Sequence, residues 1–440
     1  MPNLRAIPKE KALTAASFSR FAPRVISNLL VGLIIFFSAT QLGLHFWPNS
    51  TLVYGIRIDY LSPTIYFLDC LILLFLGSDL LRKSWLAAKM FSRPRLAGET
   101  RSDPQSIFEN LRIWDLRLLV PPLLTNLLFS ANPLSTLSWS LHLILYLSFI
   151  STLKFENWRI YDLRLILTLS LLFQTILALA QVALGHSLGG LMYYLGERTV
   201  SVGAPSVATA SLGATILRAY GTFGHPNVLA GFAVISLLIV LVLRRKQNKF
   251  ENLRIYDLRL FIPLLLTTTL VCLTQSRSAA LALFGLVLPF CLLHFLRPRL
   301  IYFAILFSLV IGHWSLVIPA RNDLSFTQRL SLQQISLQVI RSFPLFGTGA
   351  NASISTYPTI APNFRLLQPD HNSFTLLLSW FGLFGVLAIL SSLRPHFTTL
   401  RLYDLRLFAP LLPLLLLDHY LLTSPQGLFI LLLYLKVVSH

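Results

Sequence analysis

What most constrains this chain is a succession of apolar runs, each about as long as a bilayer is thick. A membrane-crossing helix needs roughly 20 apolar residues. About twelve runs meet that rule, at approximately 25–45, 62–81, 118–132, 134–153, 165–185, 226–243, 260–275, 279–296, 300–318, 372–393, 407–422 and 427–438. The hydrophobic share of the chain is 55% and the charged share only 12%, whereas soluble domains are about a quarter charged. A soluble enzyme, a disordered tail and a secreted disulfide scaffold are thereby excluded. Cys70, Cys272 and Cys291 all fall in apolar runs, so neither a disulfide framework nor a zinc site is expected. The net charge of +19 sits on too few charges for a nucleic-acid binder, whose surface would be polar and Lys-rich. The expected fold is an all-α integral membrane protein of about twelve helices. Residues 1–24 form an inner tail and 25–440 a single polytopic domain.

Lys and Arg collect on the inner side of membrane proteins. With the N-terminus inside, the inner segments hold 28 of the 36 basic residues. An even number of spans puts both termini in the cytoplasm. The other eight are Arg57, Arg198, Arg218, Arg277, Arg321, Arg329, Arg341 and Arg365, and every lysine is inside. Arg carries a planar, permanently charged fork that matches phosphate oxygens. A single outer Arg can equally be an interface residue that snorkels. As a set, the eight point to a site for an anionic, phosphorylated ligand on the outer face.

Four near-copies of one string lie at inner edges: Phe108-Glu-Asn-Leu-Arg-Ile-Trp-Asp-Leu-Arg-Leu118, its relatives at 155–165 and 250–260, and a shorter one at 400–407. The sequences between them do not repeat, so they read as short inserted elements rather than as a solenoid.

Two outer connections are long, at about 186–225 and, between helices 9 and 10, at about 319–371. Connections above about 15 residues usually carry function. The first ends in Arg218-Ala-Tyr-Gly-Thr-Phe-Gly-His-Pro-Asn227. Pro226 suits a first helical turn, and the helix start is expected to offer free N–H groups to an anion; the competing reading of His225 is a capping histidine. Thr274-Gln-Ser-Arg-Ser-Ala279 makes a tight outer turn around Arg277. In the second connection a helix is predicted over 323–342. Leu332, Ile335 and Val339 form its apolar stripe, and Arg329, Gln333 and Ser336 its polar face. Arg341 ends this helix as a supporting candidate. Pro344-Leu-Phe-Gly-Thr-Gly349 reads as a turn before it reads as a phosphate loop. The connection closes on Pro369-Asp-His-Asn-Ser373, where His371 could take a proton from a hydroxyl nucleophile. Asp370 and Asn372 are supporting candidates or simply helix caps. Asp418-His-Tyr420 and Asp69 are polar groups in apolar runs, which usually face a bundle's interior.

These strings resemble the bacterial O-antigen ligase and polymerase family. The resemblance is carried by Gly55-Ile-Arg-Ile-Asp-Tyr-Leu-Ser-Pro63, Gly221-Thr-Phe-Gly-His-Pro-Asn227, Ser276-Arg-Ser-Ala279 and His371-Asn372 followed by Trp380-Phe-Gly-Leu-Phe-Gly385. Their order and spacing on a twelve-span chain are what is specific. The resemblance implies a multi-pass glycosyltransferase of the bacterial cell membrane with its site outward. Its donor would be a glycan on an undecaprenyl-diphosphate carrier, its acceptor a hydroxyl of a glycan, lipid or protein, and its surroundings membrane lipids. Transfer would be inverting, with no metal and no cofactor. By the same resemblance His371 is the general base, Arg277 and Arg329 contact the diphosphate, and Arg218 is a weaker match. His225, Asn227, Asp370, Asn372, Arg341 and Asp418 are supporting. The alternatives are a polymerase of surface-polysaccharide repeat units and a non-enzymatic polysaccharide transporter or flippase. Transporters place polar groups near the midplane and often show inverted repeats; here the polar groups collect in outer loops.

Overall fold

The computed structural model describes residues 15–91, 116–153, 160–205, 207–212, 214–247, 258–292, 324–397 and 408–439. The ninth apolar run, the N-terminal tail to residue 14, the whole string at 400–407 and parts of the other three strings lie outside the described residues. Among the described residues eleven helices have 13 residues or more. They are α1 (Ala15–Phe37), α2 (Phe67–Phe91), α3 (Leu116–Leu128), α4 (Pro133–Thr152), α5 (Ile160–Leu184), α6 (Pro226–Gln247), α7 (Leu258–Thr274), α8 (Arg277–Leu292), α9 (Leu324–Ser342), α10 (Ser373–Phe397) and α11 (Pro425–Ser439). Four stretches are long and apolar enough to cross a membrane: Pro133–Thr152, Asp162–Leu184, Pro226–Arg244 and Ser373–Ser391. Four more apolar helices are shorter: Ile26–Phe37, Leu119–Leu128, Leu260–Thr274 and Pro425–Ser439. Helix α2 carries Asp69, Asp79, Arg82 and Lys83, which keeps it out of both groups.

Helix α6 is the axis of the bundle. It packs against α5, α7, α8 and α11, and its residues from Val228 to Val240 are all buried. A helix that is apolar all round has no solvent face to turn outward, so it takes the centre. Close approach is set by Gly231, where a Cβ would lie 1.7 Å from the Tyr420 Oη.

Two expectations change at the ends of the first two runs. Residues 38–45 and 62–66 do not continue helices. Strand β1 (Gly43–His45) pairs antiparallel with β4 (Thr64–Tyr66), and β2 (Leu52–Val53) pairs with β3 (Ile56–Arg57). The second hairpin turns through Tyr54 and Gly55 at φ 51° and 76°, the double left-handed step that matches strand twist. Helix α2 then starts where Asp69 reaches back to accept from the Tyr66 N–H at 2.8 Å, half of a capping box. The same carboxylate accepts from Tyr146 Oη at 3.0 Å and meets His142 Nε2 at 3.0 Å, so Asp69 faces the bundle interior. A third hairpin, β5 (Thr209–Leu212) with β6 (Ala214–Leu217), lies in the first long connection.

The eleventh run, expected as one span over 407–422, is broken. A short helix Leu412–Leu417 stops, Asp418 is extended (φ −148°, ψ 155°), and Tyr420–Thr423 resumes. Two adjacent polar residues in a leucine run mark the break.

Helix α10 is also interrupted, at Gly382 (φ 60°, ψ −173°). The segment 343–350 threads into the gap. Leu383 N donates to Pro344 O at 2.9 Å and Phe384 N to Leu345 O at 3.1 Å, while Thr348 N donates to Ser379 O at 2.9 Å and Gly349 N to Trp380 O at 3.0 Å. Asn126 of α3 braces both sides, donating to Trp380 O and accepting from Ala350 N, each at 2.7 Å. Pro344–Gly349 is a turn, as expected, closed by Gly347 N donating to Phe343 O at 3.1 Å, and it also supplies hydrogen bonds to the broken helix. Gly382→Ala would place a Cβ 2.4 Å from Leu345 O at a backbone conformation reserved for glycine. A loss of about 2–3 kcal/mol is expected, read as a lower melting temperature in detergent; an unchanged melt would contradict the interlock.

Candidate functional site

The starts of α6, α8 and α10, the polar side of α9 and the break before Tyr420 meet at one place, and Asp418 is its hub. Asn227 Nδ2 donates to Asp418 Oδ1 at 3.0 Å, and Ser278 Oγ donates to Oδ2. Arg329 Nη2 lies 3.8 Å from Oδ1. Ser373 Oγ, beside His371, donates to the Asp418 carbonyl at 2.9 Å. Asp418 is 3% exposed, so its charge is neutralised by these partners rather than by water.

Arg218 is fixed by three acceptors: Thr274 O at 2.7 Å from Nε, and Asn227 Oδ1 at 2.8 Å and Gln275 O at 3.5 Å from Nη2. Burial lowers its proton affinity to about 10, with Tyr220 and Asp418 opposing and the Arg329 and Arg277 charges adding to the lowering. It stays charged at neutral pH, with the Arg329 and Arg277 guanidinium groups near enough to act on it. Arg277 opens α8 between the buried Ser276 and Ser278, whose hydroxyls lie 3.2 Å apart. Arg329 is half-buried, with Nε unpartnered. Its helix is held by the buried Leu332, Ile335 and Val339, as the stripe predicts. Ser336, assigned to the polar face, is instead buried at 3% with its hydroxyl unpartnered, because α9 is enclosed by protein on that flank. Arg341 is exposed and twelve residues further along, about 18 Å at helical rise, so the structure does not bring it to the cluster.

His371 is half-buried, and its Nδ1 has no hydrogen-bond partner. Burial lowers its proton affinity; Asp418 and Asp370 raise it and Arg329 lowers it, so the ring is neutral at pH 7. The nearby Pro369 carbonyl also favours the protonated ring, without reaching hydrogen-bond geometry at Nδ1. Asp370 and Asn372 act as caps. Asn372 Oδ1 accepts from Phe374 N at 3.0 Å and Thr375 N at 3.3 Å; Asp370 accepts from Asn372 N at 3.1 Å and from the Thr375 hydroxyl.

The start of α6 departs from the expected open anion site. Val228 N donates to His225 O at 3.0 Å, and Asn227 N donates to His225 Nδ1 at 3.2 Å, so His225 caps the helix. His225 is exposed by surface area, so its ring loses water only in part; that loss first, then Arg218, His371, Arg329 and Arg198, lowers its proton affinity below the ordinary value. Unfolding returns it to about 6.5. The unfolded ring thus binds a proton that the folded ring refuses. The stability this group contributes is complete above about pH 6.5 and declines as the pH falls below it. His225→Asn keeps a cap acceptor without a titrating ring. Its melting temperature should fall less between pH 7 and pH 5 than the wild type's, and parallel curves would refute the assignment.

Residues outside the sequence-derived set hold the site in place. Gln181 of α5 accepts from Tyr220 N at 3.0 Å and Gly221 N at 2.8 Å and donates to Gly221 O at 3.0 Å and Glu197 Oε1 at 2.8 Å. Gln174, two turns earlier, accepts from Thr222 N at 3.0 Å and donates to its hydroxyl at 2.7 Å. Amides in an apolar run were the available signal. Tyr60 and His419 also reach the cluster. The Tyr60 ring lies 5.5 Å from that of His419. Burial first, then Asp59 and Asp418, push the Tyr60 phenol up to about 12 against the pull of Arg198.

Residues 262–390 match the family model described as Wzy_C, O-antigen ligase. No curated protein and no solved structure matches. The match bears out the resemblance to an O-antigen ligase-like family. The matched segment contains Arg277, Arg329, Asp370, His371 and Asn372, whereas Arg218, His225, Asn227, Asp418 and His419 lie outside it. The chain is thus a mostly helical protein with apolar, membrane-length helices and an O-antigen ligase-type segment.

Proposed function

We propose that this protein transfers a glycan from an undecaprenyl-diphosphate carrier to an acceptor hydroxyl on the outer face of the bacterial cell membrane. The observation that carries this reading is the gathering of Arg218, Arg277 and Arg329, one carboxylate and one neutral imidazole in a single place. Three guanidinium charges against Asp418 leave two net positive charges, which suit a diphosphate. The asymmetric distribution of Lys and Arg supports an outward site with both termini inside.

In this reading the acceptor O–H gives its proton to the His371 imidazole as its oxygen attacks the anomeric carbon. The bond from that carbon to the phosphate oxygen breaks, and the diphosphate leaves with the electron pair. Arginine forks stabilise the charge that develops there, so the leaving group needs no acid. Attack opposite the leaving group inverts the anomeric centre. Arg218 and Arg277 are set on helix and hairpin ends, and Asp418 holds Arg329 beside them. Neutral His371 fits a base working near pH 7.

The test is the surface-polysaccharide ladder of a deletion strain complemented with the wild-type gene. Ladders that accumulate on the lipid carrier in the deletion strain support ligation. Loss of the ladders themselves assigns polymerisation, and normal ladders on the normal acceptor would overturn the transferase reading.

A further inference from the structure

His371 lacks the carboxylate that commonly orients a basic imidazole. Its Nδ1 is buried and unpartnered. The Asp370 carboxylate is engaged by Thr375 and Asn372, and the Asp418 carboxylate by Asn227, Ser278 and Arg329. What the ring meets instead is a second imidazole. His419 lies with its ring centroid 4.8 Å away and its plane at 86°. His419 is itself held on two sides. Its Nδ1 is 2.7 Å from the Thr423 hydroxyl, and the Tyr60 ring stands edge-on at 5.5 Å and 78°. Tyr60 is tied in turn, its carbonyl accepting from Asn351 Nδ2. The break that turns the Asp418 carboxylate inward thus also delivers a fixed aromatic surface against His371.

Edge-to-face contact is the favoured geometry of aromatic rings, so each of the two imidazoles restrains the other. Resting on the transferase reading above, we propose that His419 is the positioning residue of His371: its ring, 4.8 Å away at 86°, fixes the orientation of the basic imidazole. Here an aromatic wall replaces the acid of an acid–histidine pair. It also shields His371 from water without adding charge.

A readout independent of any substrate tests this. The purified full chain in detergent is treated with diethyl pyrocarbonate between about pH 4.5 and 8, a range that brackets imidazole titration. Mass spectrometry follows carbethoxylation of His371. Asp418, Arg329, Asp370 and His225, the other charged or titratable groups facing the ring, are unchanged in every variant. His419→Ala admits water and should move the His371 midpoint up toward 6.5. It should also lower glycan transfer about 10-fold, as misorientation of a base does. His419→Phe keeps the ring face and should bring the midpoint and most of the transfer back. An alanine variant that matches wild type, or a phenylalanine variant as impaired as alanine, overturns the proposal. If the alanine variant does not accumulate, Thr423→Val, which frees the His419 ring, must move the midpoint in the same direction; no movement overturns it. Full transfer by His371→Ala would instead remove the transferase role of His371 and leave the carbethoxylation result to decide the ring contact alone.

Discussion

Replacing His371 with alanine should leave an inserted, abundant protein that transfers glycan about 10²–10⁴-fold more slowly, the usual contribution of a general base. The side chain is dispensable for folding. It is half-buried, forms no hydrogen bond through Nδ1, and leaves the capping of α10 to Asn372 and Asp370. Ladder analysis in the complemented deletion strain, beside an immunoblot of the membrane fraction, separates loss of chemistry from loss of protein. Normal ladders at normal abundance would sink the role of His371. The pH dependence follows the same logic. Because burial holds its proton affinity below the ordinary value of 6.5, transfer should be flat across neutral pH and fall only below 6.5.

Asp418→Ala should be as damaging to activity and far more damaging to the protein. The substitution takes the acceptor from Asn227 and Ser278 and the counter-charge from Arg329. Removing one member of a fully buried charged pair costs about 3–5 kcal/mol; Arg329 keeps 22% of its side chain exposed, so a smaller loss is expected. Asn227 would then be free to turn, and Arg218 would lose the fixed amide oxygen that holds Nη2. Transfer should fall about 100-fold, the scale of an ångström's misplacement in a catalytic array, with a lower melting temperature. Asp418→Asn tells charge from geometry. It preserves one acceptor oxygen but not the charge, so it should recover part of the stability and little of the transfer. Equal recovery of both would mean that the carboxylate is only a scaffold.

Helix positions were legible because apolar runs of that length leave few alternatives; α4, α6 and α7 begin and end within a few residues of the runs that announced them. Leu332, Ile335 and Val339 disclosed which side of α9 packs. Apolarity alone misled at residues 38–45 and 62–66, where short strands are as greasy as a helix end. It misled again at 407–422, where length suggested one span and Asp418-His419 made two pieces. At the site, the arginines and His371 were visible as charges in the wrong place. That His419 faces His371 and Tyr60 was not, because its polarity marked the break in the run and not which rings it would meet. The interruption of α10 was hidden for another reason. Gly382 is unremarkable until 343–350, more than thirty residues earlier, is seen filling the gap.

That splice has a consequence for the order in which the chain is built. Among the described residues the carbonyls of Ser379 and Trp380 and the amides of Leu383 and Phe384 find partners in segment 343–350 and Asn126. In lipid, each such group left alone costs several kcal/mol. Ribosomal synthesis produces 343–350 before α10, so the plug can be waiting on the far side when the helix enters. Changes that lengthen or displace this segment should therefore appear first as a failure of α10 to integrate, and they would reach Arg329 and His371 only through that failure. The long connection before α10 then acts as an assembly template as much as a frame for chemistry.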